Sequence, residues 1–504
     1  MYRILLLSLF LILLLPFHSR SQDKTPEFSL DKAELEKHLR YLASDELMGR
    51  RTGAPGNDSA AAYIARHFKE YGLISAPGTE DYFQKVSLVN TAGPTTANFT
   101  IGEEVFKQKD NLMILSGDAM TTETELIFGG HGLYNKEEGW DDYKDLDVKG
   151  KMVVVLPGTP ESTDPQAIFE SMSIKRKLAQ ERGAVGLLEL YRISFPWGFF
   201  TNYFGRPSMR LVDSAGDAMP TITYGWIKES DLTIMNALRE GTISLSITGN
   251  HSGGFSQPIS SQNVAGIIEG TDPVLKEEYI IITGHFDHVG TGKDGGGMFT
   301  ETDSIFNGAR DNAMGTVAVM AAAKSLAAHP PKRSVLFLAL TGEEVGLLGS
   351  QYYVANPLIP LEKSIYNINT DGGGYNDVTK VSVIGFGRTG TDEVVIKGAE
   401  SFGLGVIPNP APQQNLYDRS DNVSFARAGI PAINVSPGVT DFDAEIIKYY
   451  HQVTDEADSV DFDYLLKYCQ TVSLIARKIA NLSTRPFWQE GDKYEAAGIQ
   501  LYNK

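Results

Sequence analysis

From about residue 262 the chain alternates short apolar runs with helical segments, and this alternation limits the fold more than any other feature. The runs are Ala265–Ile268, Tyr279–Thr283, Val335–Leu340, Ser364–Asn369, Lys380–Ile384 and Ala432–Val435, with helical stretches such as NAMGTVAVMAAAKSLAAH between them. Strands that alternate with helices predict an α/β fold with a mostly parallel central sheet flanked by helices. In such sheets, ligand-binding groups collect beyond the carboxyl ends of the strands.

Acidic and imidazole side chains gather at those ends. YIIITGHFDHVG delivers His285, Asp287 and His288, and IFNGARDNAMG puts Asp311 where a loop enters a helix. VLFLALTGEEVGLLGS runs from a strand into Glu343 and Glu344, YNINTDGGG ends in Asp371, and YYHQVTDEADS carries His451. Singly, each has a plain structural explanation: Asp311 as a helix N-cap, Asp371 as a turn residue, each histidine as a packed side chain. Gathered at one sheet edge, they repel. Adjacent carboxylates disfavour each other's ionised form, so the Glu343–Glu344 pair calls for a positive partner or a retained proton. Carboxylates and imidazoles without thiolates suit zinc in an open site. Three carboxylates and two histidines suffice for two ions if one carboxylate bridges, and metal pairs about 3.5–4 Å apart clamp a shared water in aminopeptidases and phosphatases. One glutamate of the pair then binds metal while its neighbour is free to move protons.

The remaining sequence is less specific. MYRILLLSLFLILLLPFHSRSQ has one Arg ahead of an apolar core from Ile4 to Pro16, the pattern of a signal peptide over residues 1–22. The run is short for a spanning helix. The expectation is an exported protein, periplasmic or secreted, with no stable membrane insertion after cleavage. Residues 31–47 and 58–73 read as helices, the second with Asp58 or Ser59 as N-cap, and 95–117 as short strands. From about 119 to 250 the chain looks β-rich, so 119–250 reads as a domain inserted into a catalytic domain made of 23–118 and 251–504. The formal net charge of −18 argues against nucleic acid, whose binding relies on Lys and Arg. Cys469 is the only cysteine, which rules out an intramolecular disulfide; its amphipathic surroundings suggest a buried apolar position.

Taken in order, GHFDHVG, NGARDNAMG, TGEEVGLLGS, NTDGGG and YYHQVTDEADS resemble the di-zinc aminopeptidase family that also includes glutamate carboxypeptidase and the transferrin receptor ectodomain. The resemblance implies two Zn²⁺ per chain, with His285, Asp311 and Asp371 on one and Asp311, Glu344 and His451 on the other. It also implies Asp287 as the carboxylate that orients His285, and Glu343 as general base acting on a hydroxide that bridges the zincs. Tyr417, in LYDRSDNVSFARAGIPAINV, resembles the tyrosine that hydrogen-bonds the developing oxyanion; a packed wall residue is the alternative. The family often has two acids before the Asn of the bridging motif. Here the first is Arg310, most simply a surface arginine paired with an acid. His288 and His38 read as structural. DDYKDLDVKGKMVVVLPG and AQERGAVGLL resemble a protease-associated domain lying over the cleft.

The implied activity is that of an exported exopeptidase, an aminopeptidase acting on peptides with a free N-terminus. Two rivals share the fold. A glutaminyl cyclase acts on N-terminal Gln with one zinc, and a binding protein keeps the fold without the reaction. The complete ligand set together with Glu343 argues against the latter. The sequence leaves the oligomeric state and the side-chain preference open.

Overall fold

Each apolar run after residue 262 is a strand, and two of them, Ser364–Asn369 and Lys380–Ile384, begin and end where the sequence places them. The structure is a computed structural model that describes residues 30–503, apart from 138, 213–221, 230–231 and 243. The signal-peptide segment 1–22 therefore lies outside the described residues.

The main sheet runs, edge to edge, through Ser208–Leu211, Phe83–Ala92, Phe255–Ile268, Ser334–Leu340, Tyr279–His285, Ser364–Asn369, Ala432–Pro437, Lys380–Ile384 and Gly405–Pro408. The four strands Ser334–Leu340, Tyr279–His285, Ser364–Asn369 and Ala432–Pro437 are parallel to one another. The strands on either side join them antiparallel, so the α/β class holds and the parallel part is the centre. The register sets His285 opposite Leu340, and Thr283 opposite Asn369. The residues that follow these three strands consequently leave the sheet at one edge.

Side chains of a buried strand alternate between faces, and both faces of this sheet are filled. Val335, Phe337 and Ala339 pack on one side with helices Met314–Ala328 and Phe462–Ala480. Leu336, Leu338 and Leu340 pack on the other with Tyr353 and Phe425. Burying each such large apolar chain is worth roughly 1.5–3 kcal/mol. Met314–Ala328 is buried nearly all round; its alanines let it lie close between the sheet and Phe462–Ala480. Cys469 is fully buried in this layer, as expected. The first helix starts as read, with Asp31 as its cap. The second begins at Pro55, a turn ahead of Asp58, because proline is well suited to the first helical position.

The second sheet contains Glu104–Lys107, Ala97–Ile101, Ser244–His251, Met120–Phe128, Met152–Val155, Gly186–Leu190, Thr223–Ile227 and Leu112–Ser116, in that spatial order. It therefore takes strands from Ala97 onward, earlier than the boundary near 119. The short strands at 97–116 carry the same alternating pattern whichever sheet they join, so the pattern could not assign them. The segment also returns a strand to the main sheet, where Ser208–Leu211 pairs with Phe83–Ala92.

Candidate metal centre

Parallel strands deliver the predicted side chains to one place. His285 is the last residue of its strand, Glu343 and Glu344 follow Leu340 through the turn at Thr341–Gly342, and Asp371 follows Asn369. Asp311 arrives from the other direction, just ahead of helix Met314–Ala328, and the Asp311–Asn312 peptide is cis. His451 comes from the loop after Ala444–Ile447. It sits at φ +53°, a conformation uncommon outside glycine that tends to be kept at functional sites. Its ring stacks on Tyr450, with centroids 4.2 Å apart.

All five predicted ligands converge. His285 Nε2 lies 3.2 Å from Asp371 Oδ1 and 3.5 Å from Asp311 Oδ1. His451 Nε2 lies 3.2 Å from Asp311 Oδ2 and 3.1 Å from Glu344 Oε2. Asp311 thus presents one oxygen to each imidazole. Glu343 adjoins these groups, its Oε2 4.0 Å from His285 Nε2, and its ligand oxygen also lies within 4.8 Å of those of His285 and Glu344. Ligand atoms of His285, Asp311 and Asp371 lie within 4.8 Å of one another, as do those of His288, Asp311 and Glu344. Two adjoining donor groups that share Asp311 can hold a pair of divalent cations.

The electrostatics point the same way. Burial pushes the Glu343 carboxyl well above the usual range; Asp371 and Glu344 add to the rise, and His285 opposes it. Burial also penalises the Glu344 carboxylate, but His288 and His451 outweigh this and hold it well below the usual range. Burial alone would lower His451, yet Asp311 and Glu344 raise it to about 10. The imidazoles stand in for missing positive charge among four carboxylates, Asp311 buried and the other three partly buried, an arrangement that accommodates metal cations.

Several residues have other roles than the sequence suggested. The Asp287 carboxylate is 3.7 Å from His285 Nδ1, whose nearer partner at 3.2 Å is the Asp287 main-chain oxygen. The carboxylate instead accepts the main-chain N–H groups of Glu343 (3.2 Å) and Glu344 (3.4 Å) and the Thr52 hydroxyl (2.9 Å). It therefore fixes the turn that aims both glutamates. Arg310 is not on the surface. It is buried, with its guanidinium between the Tyr449 and Tyr375 rings at 3.6 and 4.3 Å, and it donates to the carbonyls of Tyr375 (3.3 Å) and Ser459 (2.6 Å). It ties together the segments that carry Asp311, Asp371 and His451. Its guanidinium also lies 3.8 Å from the Glu445 carboxylate.

Tyr417 does not reach the centre. Its hydroxyl donates to the Ala432 carbonyl at 3.0 Å, and it is buried with Trp488 behind the cleft wall. The packed-wall alternative describes its position. Tyr450 is the tyrosine that lines the cleft. His288, read as structural, is 2.7 Å from Glu344 Oε1, and sequence reading passed over Asp455, whose carboxylate accepts the N–H groups of Arg310 and Asp311. Both lie inside quoted motifs, but nothing in the spacing tells a ligand from a neighbour that steadies it. His38 is structural, bonded to the Tyr63 and Tyr71 hydroxyls.

The centre opens into a cleft. Beyond the acids, its walls include Ile384, Pro410, Leu416, Val439, Phe442 and Ile446, with Arg419 beside them. Among the described residues, no helix is long and apolar enough to cross a membrane.

Comparison with known proteins bears on this arrangement. The chain is 25% identical over 359 residues to the aminopeptidase YwaD of Bacillus subtilis strain 168, covering 70% of this chain and 67% of that one. It is 29% identical over 172 residues to a vacuolar membrane protease of Saccharomyces cerevisiae strain YJM789; that is 34% of this chain and 15% of the yeast protein's length. Among solved structures, an aminopeptidase from Aneurinibacillus sp. strain AM-1 shares the fold, with a TM-score of 0.55 at 18% identity over 91% of this chain and 95% of that one. The sequence profile of peptidase family M28 matches residues 263–476. That span holds all six clustered side chains.

Proposed function

We propose that this chain is an exported zinc-dependent aminopeptidase that removes the first residue from peptides with a free N-terminus. The observation that carries this reading is the convergence of five ligand-type side chains, His285, Glu344, Asp371 and His451 with Asp311 between them, and Glu343 adjacent. His285, Asp311 and Asp371 would hold one zinc, and Asp311, Glu344 and His451 the other. The donor set fits, being nitrogen and carboxylate oxygen without thiolate. When bound, zinc lowers the pKa of its water from about 15.7 to about 7 and polarises a carbonyl oxygen.

The chain's own groups supply the rest. Glu343 takes the proton of the attacking water on a carboxylate oxygen and returns it to the leaving amine nitrogen. Asp287 aims Glu343 and Glu344 through their main-chain N–H groups. His288 steadies Glu344, and the Ser420 hydroxyl donates to Asp371. Tyr450 replaces Tyr417 as the tyrosine able to donate to a developing oxyanion. The apolar wall receives the first side chain of the peptide. We assign the second sheet to a protease-associated domain and residues 1–22 to a signal peptide.

The deciding experiment combines metal analysis of the purified protein with a leucyl anilide and an N-terminal glutaminyl peptide as substrates. Two zincs per chain and release of the first residue are expected. A chain that binds no zinc, or that cyclises the glutaminyl peptide without hydrolysing the anilide, overturns the reading. N-terminal sequencing of the exported protein checks removal of residues 1–22.

A further inference from the structure

The turn over residues 416–420 forms one wall of the cleft, and most of its side chains are fastened. The Tyr417 hydroxyl bonds Ala432, and the Arg388 guanidinium lies 3.9 Å from its ring centre. Asp418 accepts from Lys493 Nζ at 2.6 Å, from the Tyr494 hydroxyl at 2.8 Å and from Asn415 at 3.1 Å. Ser420 bonds Asp371 and accepts from Asn369 at 2.8 Å. Arg388 is itself held by Asp492, at 2.6 and 2.8 Å. These anchors at 492–494 lie beyond the segment matched to the peptidase family.

Arg419, in the middle of this turn, differs from its neighbours. Among the described residues it makes no hydrogen bond, ion pair or ring contact, although its side chain lines the cleft with Glu343, Asp371 and Tyr450. It is the only Lys or Arg among the described lining residues. A centre built to collect cations gains nothing from an extra positive charge beside it. An unpaired guanidinium does, however, offer a planar fork that receives a planar anion through two parallel hydrogen bonds. Phosphate is a poor fit for a cleft whose remaining wall is apolar; a carboxylate carried by a peptide fits both features.

We infer that Arg419 is a specificity-determining residue that binds a carboxylate of the substrate, so that this enzyme favours short or acidic peptides over long neutral ones. The inference rests on the aminopeptidase reading and refines its substrate class. The carboxylate has two possible sources, the C-terminus of a dipeptide or an acidic side chain, and the substrates separate them.

The test measures kcat/KM of the zinc-loaded, full-length protein on four peptides: Leu-Leu, Leu-Leu-amide, Glu-Leu-amide and Gln-Leu-amide. Two ratios are compared in the wild type, Arg419→Gln and Arg419→Lys: acid over amide at the C-terminus, and Glu over Gln at the first position. Because each ratio is taken within one protein, a general loss of activity or of folded fraction cancels. At least one ratio is expected to be about tenfold or more in the wild type, the size typical of a charge-assisted hydrogen-bonded pair. It should collapse toward one in Arg419→Gln and be partly kept in Arg419→Lys. If the C-terminal ratio responds, dipeptides are the class; if the Glu/Gln ratio responds, acidic N-termini are. Ratios that are equal in wild type and Arg419→Gln overturn the inference while leaving the aminopeptidase reading intact. Failure of the wild type to cleave any of the four peptides overturns the aminopeptidase reading itself, and this inference with it.

Discussion

The molecule buries charge in two regions, and it does so in opposite ways. In the second sheet, Lys175 Nζ donates to Glu189 at 2.9 Å and to the Leu156 carbonyl at 2.8 Å, and Tyr224 donates to the other Glu189 oxygen at 2.6 Å. One cation meets one anion, both side chains are fully buried, and no cleft adjoins them among the pockets described. At the edge of the main sheet, Asp311, Glu343, Glu344 and Asp371 face a cleft, and the ion-pair partners of all four are imidazoles. A balanced, enclosed pair is a structural device. An unbalanced cluster that opens to solvent is completed from outside the chain, by metal and substrate.

Breaking the two clusters should therefore have different consequences. The largest effect is expected from Glu343→Gln: a fall in kcat/KM of about 10²–10⁴, the usual worth of a positioned acid–base group, with zinc content unchanged. Retained turnover would remove Glu343 from the proton-transfer role. Removing the proposed ligand His451 as His451→Ala should lower zinc stoichiometry and chelator resistance along with activity; full occupancy in that variant would contradict its place in the ligand set.

The enclosed pair should answer in stability instead. Lys175→Met leaves Glu189 buried without its cation and should cost about 3–5 kcal/mol in denaturant unfolding, while the folded fraction keeps its kcat. Adding Glu189→Leu should recover much of the loss. If the single variant proves harmless, the pair does not contribute as its geometry implies.

A third buried group sharpens the contrast: His38 bonds the Tyr63 and Tyr71 hydroxyls, with Glu34 3.7 Å away. Burial lowers His38 from 6.5 to about 4, with the nearby His67 adding to the fall. The folded state then binds fewer protons than the unfolded state between those values. Its contribution is complete above pH 6.5 and is lost as pH falls toward 4, by about 2–3 kcal/mol. Unfolding free energies at pH 7 and pH 4.5, compared between wild type and His38→Gln, check this; parallel losses in the two proteins would refute it. The smallest effect is expected from Arg310→Lys. It keeps the charge but loses the planar fork and ring stacking, and should weaken zinc retention about fivefold in a chelator titration.

Much of this was legible in the sequence, and the reason is local. An apolar run needs only its own composition to declare a buried strand, and an acid or histidine just past its end needs only chain position. His285, Glu343, Glu344 and Asp371 could be read this way because each closes a strand or follows one by a few residues. The parallel centre then carried them to one edge. Motif order supplied Asp311 and His451, which do not follow strands.

What the sequence left undecided depends on contacts between distant segments. Tyr417 lies in the expected motif, but whether its hydroxyl faces the cleft or the Ala432 carbonyl was settled by packing against Trp488 and Arg388. Arg310 read as a surface residue because the two rings that enclose it come from Tyr375 and Tyr449, 65 and 139 positions away. The strands at 97–116 read alike for either sheet, and only pairing assigned them to the second. Composition and order along the chain thus determined the fold class and which side chains reach the centre. Which way each side chain points, and what holds it there, was decided by the tertiary structure, because those forces act over a few ångströms between residues that the sequence keeps far apart.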